Sequence, residues 1–238
     1  MSVIQRRRER EKKQRKQDII NAAEKLFFLE GFDNVSMSDI ALEVELSKST
    51  LYLYFENKES LFFAIVLKGT QILHSMIKNA VNNKNNGIDK VNAYRNAYNE
   101  FTCEYPNYVQ IYNYFQSGRF NLSDKRIIGQ NNDNEKLKRN ENNFPYLSAC
   151  ATEILKLRKE RFLILRDSLE MGIKDKTIRQ DIDPAEVSIL LSMISKNISN
   201  MSLDREKILK DLGINQKKYF EDVSKLIQYM ISNKELKK

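Results

Sequence analysis

Glycine and proline are scarce, with seven Gly and three Pro in 238 residues. So few chain-breaking residues, beside abundant Lys, Glu, Leu and Ile and no run of turn-bounded alternating segments, exclude a β architecture and predict an all-α fold. Histidine occurs once, as His74 within a long helical pattern, where a structural role is commoner than a ligand or sensing role. The two cysteines, Cys103 and Cys150, lack metal-ligand spacing. They read as small apolar side chains in a reducing compartment, with a redox-sensing pair as the alternative. Without a glycine-rich phosphate loop or a Cys/His cluster, no catalytic residue, metal site or cofactor is expected, and an enzyme is the weakest function class. No stretch approaches eighteen consecutive apolar residues, and residues 1–17 are too charged for a signal-peptide core, so the expectation is a cytoplasmic protein without membrane contact.

Charge is present in excess but unevenly. The net charge is +8, and within the first seventeen residues eight basic side chains against Glu9 and Glu11 give +6. Between Asp18 and Lys68 four lysines face nine carboxylates, giving −5. Residues 1–15 carry no apolar periodicity and read as a disordered segment or a frayed extension of the first helix, serving either as a solvated tail or as a basic arm that tracks DNA and reaches the minor groove. A helix is predicted over Lys16 to Glu30, from the period of Ile19, Ile20, Ala23, Leu26 and Phe27, with Gly31 at its C-terminal cap.

The organising stretch is Ser36 to Leu61. Ser36 and Asp39 have the spacing of a capping box, and Val35 and Ile40 that of a hydrophobic staple, so a helix starts near Met37. Ser47 is placed to cap a second helix, on which Leu51 and Phe55 face inward while Lys48, Ser49, Tyr52 and Tyr54 turn to the sides or outward. Asn57 caps a third helix at Lys58, with Leu61, Phe62 and Ile65 on its buried face.

Thr50-Leu51-Tyr52-x-Tyr54-Phe55-x-x-Lys58-x-x-Leu61, with the upstream Gly31-Phe32 and Ser36, resembles the helix-turn-helix signature of the tetracycline-repressor (TetR/AcrR) family. The resemblance covers about Lys16 to Lys68. It implies a basic arm (1–15), a three-helix DNA-binding head (16–62) and a helical regulatory and dimerisation body (63–238). For the head it implies Ser36 and Ser38 against the DNA backbone, Lys48, Ser49 and Thr50 at base edges, and Tyr52, Tyr54 and Lys58 on phosphates. Two positions depart from the pattern. Glu45 stands where the family commonly has a turn glycine, and Ser38 where some relatives carry a base-reading arginine.

In the body, Tyr94, Tyr98, Phe101, Tyr108, Tyr112 and Phe115 align on helical faces interrupted at Pro106. They read either as ordinary core or as the wall of a pocket for an apolar or aromatic effector. Residues 118–144 read as a polar loop or loosely packed helix, and a helix over Tyr146 to Met171 has Gly172 placed to end it. Asp183-Pro184 starts a further helix and Asn215 caps the last. Their wide apolar faces, which include Leu190, Ile194, Ile198, Val223, Leu226, Ile227 and Met230, serve either as monomer core or, as the resemblance implies, as a four-helix homodimer interface. The expectation is an operator-binding transcriptional regulator, a repressor released by a small effector. The alternative is a structural or regulatory DNA-binding protein controlled by a protein partner without a small-molecule ligand.

Overall fold

The computed structural model describes residues 2–120 and 145–233. Among them there are ten helices and no β-strand. These are α1 (Val3–Glu30), α2 (Met37–Glu43), α3 (Lys48–Tyr52), α4 (Lys58–Asn82), α5 (Gly87–Glu104), α6 (Pro106–Phe115), α7 (Pro145–Lys174), α8 (Pro184–Ser199), α9 (Leu203–Asp211) and α10 (Gln216–Ile231). The polar stretch expected over 118–144 lies outside the described residues except for its first three.

The helices gather into two compact units, Met1–Thr70 with Asn107–Lys156, and Gln71–Pro106 with Leu157–Lys238. The expected 16–62 head lies within the first, which also takes in α6 and the start of α7.

The first helix begins at Val3 and not at Lys16, so that residues 3–15 are an extension of it, as one of the two expected forms had it. Ser2 and Gln5 form a reciprocal capping box, and the arm is built of the straight-chain Arg, Lys, Gln and Glu that lose little freedom in a helix. Arg7 and Glu11 pair at 2.7 Å one turn apart. The arm's side chains are exposed through Arg15, and only from Ile19 does one face become buried, at Ile19, Ala23 and Phe27.

Phe27 starts an aromatic core in the first unit. Phe27, Phe32 and Phe62 meet with centroids 4.8–6.3 Å apart, and Tyr114 lies 5.5 Å from Phe62. Edge-to-face contacts of this kind add to the stabilisation from burial. By length and composition α4 would suffice to cross a membrane. Its Leu61 to Val66, Leu73, Ile77 and Val81 are instead buried against protein.

In the second unit α5 starts tight against α7. A Cβ on Gly87 would lie 2.0 Å from the Gly172 backbone nitrogen, and one on Gly172 would lie 2.4 Å from Ile178 Cδ1. Gly172 therefore does not end its helix, which runs on to Lys174; its missing side chain serves close packing. The Gly87 N–H donates to Asp175 Oδ2 at 2.7 Å, and an isolated bridge joins Ile178 to Ser232. α8 and α10 start at Asp183 and Asn215, whose side chains accept from backbone N–H groups two or three residues on.

Candidate nucleic-acid interface

The head is assembled by caps. Ser36 Oγ accepts from the Ser38 and Asp39 N–H groups, while Asp39 Oδ2 accepts from the Ser36 N–H at 2.7 Å. That backbone hydrogen bond, with the Ser36 hydroxyl second, holds the Asp39 carboxyl below the usual carboxylate range. Val35 and Ile40 are buried on either side.

α2 ends in a defined turn. The Leu46 N–H reaches back to the Ala41 carbonyl at 2.9 Å and the Glu45 N–H to the Leu42 carbonyl at 3.1 Å, which is the double hydrogen bond of a Schellman motif. The motif needs a left-handed residue, and Glu45 supplies it at φ 53°. Ser47 then caps α3, its Oγ accepting from the Thr50 N–H at 3.1 Å and lying within 2.9 Å of the Ser49 and Thr50 hydroxyls. Leu51 and Phe55 are buried beneath.

Of the expected DNA-contacting residues, Ser36, Ser38, Lys48, Ser49 and Tyr52 are exposed, while Thr50 and Tyr54 are half-buried. Lys58 departs from expectation. Its Nζ donates to the carbonyls of Phe32 (2.7 Å) and Val35 (2.8 Å) and lies 4.3 Å from the Phe32 ring centroid. Two of its three N–H bonds thus tie α4 to the segment before α2, a structural role the sequence did not suggest, and the third N–H is left for the phosphate contact expected of it. Lys25 pairs with Glu43 and Lys68 with Glu24, each at 2.7 Å. Lys48 is the remaining lysine between Asp18 and Lys68, exposed and without an ion pair among the described residues.

Three contacts have no counterpart among the sequence patterns. Lys16, counted with the arm's charge, lies 3.3 Å from the Tyr146 ring centroid and 5.1 Å from that of Phe55, and burial lowers its pKa. Glu56 Oε1 accepts from the Tyr146 N–H at 3.1 Å and so caps α7. Asp33 accepts from the Tyr114 hydroxyl at 3.0 Å and pairs with Arg119 at 2.8 Å. Lys16 and Tyr146 are 130 residues apart and Asp33 and Tyr114 are 81 apart, and no local pattern marks them.

The arm's helical form changes its reading too. A helix with its side chains is ~10–12 Å across, whereas the minor groove of B-DNA is ~6 Å wide. For as long as residues 3–15 stay helical they are wider than the minor groove.

The six aromatic residues expected to line a pocket are divided between the units. Tyr108, Tyr112 and Phe115 belong to the first, where Tyr108 packs edge-on to Phe28 at 5.2 Å and Phe115 to Phe63 at 5.3 Å. Tyr94 and Phe101 are buried and Tyr98 half-buried in the second. A cavity of about 450 Å³ opens elsewhere in that unit, lined by residues that include Met201, Leu209 and Ile214.

The expected dimer residues also sort by face. Leu190 (43% exposed), Leu226 (69%) and Met230 (39%) are open to solvent, and Ile194 and Val223 are half-buried. Ile198 and Ile227 are buried within the monomer, while Ile189, Met193 and Tyr229, from the same two helices, are exposed.

Residues 19–65 match the family model described as bacterial regulatory proteins, tetR family. The chain is similar in fold to the ketosteroid transcriptional regulator KstR2 of Mycobacterium tuberculosis, at 16% identity and a TM-score of 0.61, over 92% of this chain and 95% of that one. A TetR/AcrR-family regulator from Thermobifida fusca aligns at 16% identity and a TM-score of 0.65, over 90% and 97%. AibR, in complex with isovaleryl coenzyme A and operator DNA, aligns at 17% identity and a TM-score of 0.61, over 89% and 97%. No curated protein matches the sequence significantly.

Proposed function

We propose, from the premise that the chain belongs by its residues 19–65 to the tetR family of bacterial regulatory proteins, that it is a homodimeric transcriptional repressor released from its operator by a small effector. The observation that carries the DNA-binding part is the isolation of Lys48. In a head of net charge −5 the other lysines are paired within the protein, and Lys48, without an ion pair among the described residues, stands at the first position of α3 beside Ser49. An ammonium there reaches guanine O6 or N7 when the first turn of α3 enters the major groove, with Ser49 and Thr50 beside it and Tyr52 and Tyr54 on phosphates.

Docking needs two heads at half-sites ~34 Å apart, one helical turn. The outward apolar faces of α8 and α10 supply a surface for the second copy: Ile189, Leu190, Met193, Leu226, Tyr229 and Met230 offer more exposed apolar area than a solitary bundle needs. Because the head is acidic, the arm supplies the long-range attraction, and its contacts act within a Debye length of ~8 Å at physiological salt. An effector acts by favouring a separation of heads that no longer fits the half-sites. AibR, a neighbour in fold, is seen with both operator DNA and a small thioester, which supports an effector-binding body here.

The test is selection of DNA fragments by the full-length protein. A two-fold symmetric site is expected, with Lys48→Ala relaxing preference at one guanine per half-site and costing ~1–3 kcal/mol per contact. Failure to enrich any sequence would refute the reading.

A further inference from the structure

In the second unit, Arg95 extends from α5 into the interior and is 1% exposed. Its Nε and Nη2 find no hydrogen-bond acceptor among the described residues. The acidic side chains of its own helix, Asp89, Glu100 and Glu104, all face solvent. What covers the guanidinium is the ring of Phe220 from α10, with its centroid 5.6 Å from Cζ.

A guanidinium cannot escape burial by giving up its proton, as a lysine can. Burial pulls the Arg95 pKa down to about 10, which leaves it charged at neutral pH. An aromatic ring compensates a desolvated cation only in part. The two unpartnered nitrogens lie on one edge of the guanidinium, the edge that is complementary to two oxygens of one anion. Arg179 uses that same edge on Asp181, with Nε donating to Oδ1 at 2.5 Å and Nη2 to Oδ2. Around Arg95, Val91, Tyr94, Ala97 and Phe101 of α5 are buried.

We propose that Arg95 is an anion-binding residue of an effector site in the second unit, taking the carboxylate or phosphate of a small molecule whose apolar remainder packs among the α5 side chains. This deepens the effector reading above and rests on it. The bound anion replaces the Phe220 ring at the guanidinium edge. Phe220 lies on the helix that carries Leu226, Tyr229 and Met230, so occupancy is felt at the face assigned to the second copy.

The test uses the full chain with decanoate, decyl phosphate and decanol as probes, read by thermal unfolding and by titration. At least one of the two anions is expected to raise the melting temperature and to bind at least ~30-fold more tightly than decanol, the advantage of a buried charge pair. The better of the two anions identifies the head group. In Arg95→Met that advantage falls to within a few-fold, and the ligand-free variant melts at or above the wild type because a buried unpaired charge is gone. Arg95→Lys, which keeps the charge and loses the fork, provides the reading if the methionine variant does not fold; it is expected to lose affinity for the anion and keep that for decanol.

Equal binding of decanol and both anions, an unchanged anion preference in both variants, or an Arg95→Met chain that folds but melts well below the wild type would overturn the proposal. Operator release separates the two readings. Arg95-dependent anion binding that leaves operator affinity unchanged refutes the effector reading and keeps the subsite. Release by decanol and anions alike does the reverse.

Discussion

Replacing Glu45 by glycine should stabilise the protein. Glu45 holds φ 53° at the one position of the α2–α3 turn where the Schellman hydrogen bonds require a left-handed residue. For a side chain with a Cβ that conformation costs ~1–2 kcal/mol. Glycine removes this cost but loses more entropy on folding, which offsets ~0.4–1 kcal/mol. Taking a carboxylate away from the C-terminal end of α2 adds ~0.3–1 kcal/mol, because the helix dipole is negative there. The sum is a gain of ~1 kcal/mol. For a chain of this size that is a rise of ~2–4 °C in melting temperature, readable by circular dichroism. Glu45→Gln is the control, since it removes the charge and leaves the backbone as it was; a few tenths of a kcal/mol is expected. A glycine variant that melts below the wild type, or a glutamine variant that gains as much as glycine, refutes the backbone argument.

Tyr52→Phe should weaken binding to all DNA sequences alike if its hydroxyl holds a phosphate; a weakening confined to some sequences in a binding assay would assign it to base reading. Deleting residues 2–15 should flatten the dependence of log affinity on log salt by ~0.9 for each phosphate that the arm neutralises, and an unchanged slope would detach the arm from DNA. Leu190→Glu or Leu226→Glu should produce monomers by analytical ultracentrifugation while the fold persists, since both side chains are exposed. A dimer that survives both would place the interface elsewhere. Ile227→Glu, at a buried position, should unfold the protein instead.

What is legible in the sequence is what acts over three or four residues. Ser36 with Asp39, Ser47 with Thr50, Asp183 with Glu186 and Asn215 with Lys218 all form the caps their spacing predicts. Good helix formers continue a helix without an apolar stripe, so the apolar period alone hides the helical arm. The α8 and α10 stripes are visible as apolar, but Ile198 and Ile189 are chemically the same residue. Only packing decides which turns inward. Lys58 on the Phe32 and Val35 carbonyls, Asp33 with Tyr114, and the crossing of Gly87 on Gly172 join residues 23 to 85 positions apart. Nothing in a local window distinguishes them from solvated charge, a loop tyrosine or a helix stop. Arg95 reads in the sequence as one more surface cation, and its burial is a property of the tertiary packing.

The helical arm sets a length as well as a charge. Residues 3–15 continue α1 without a break, and at a rise of 1.5 Å per residue they reach ~20 Å beyond the packed part of the helix. Laid along a duplex that repeats every ~3.4 Å, this spans about six base pairs. A dimer with two such arms on DNA is expected to protect roughly one further turn beyond what its heads cover. A nuclease footprint should therefore outlast the recognised half-sites, and it should contract by that turn when the arms are cut away.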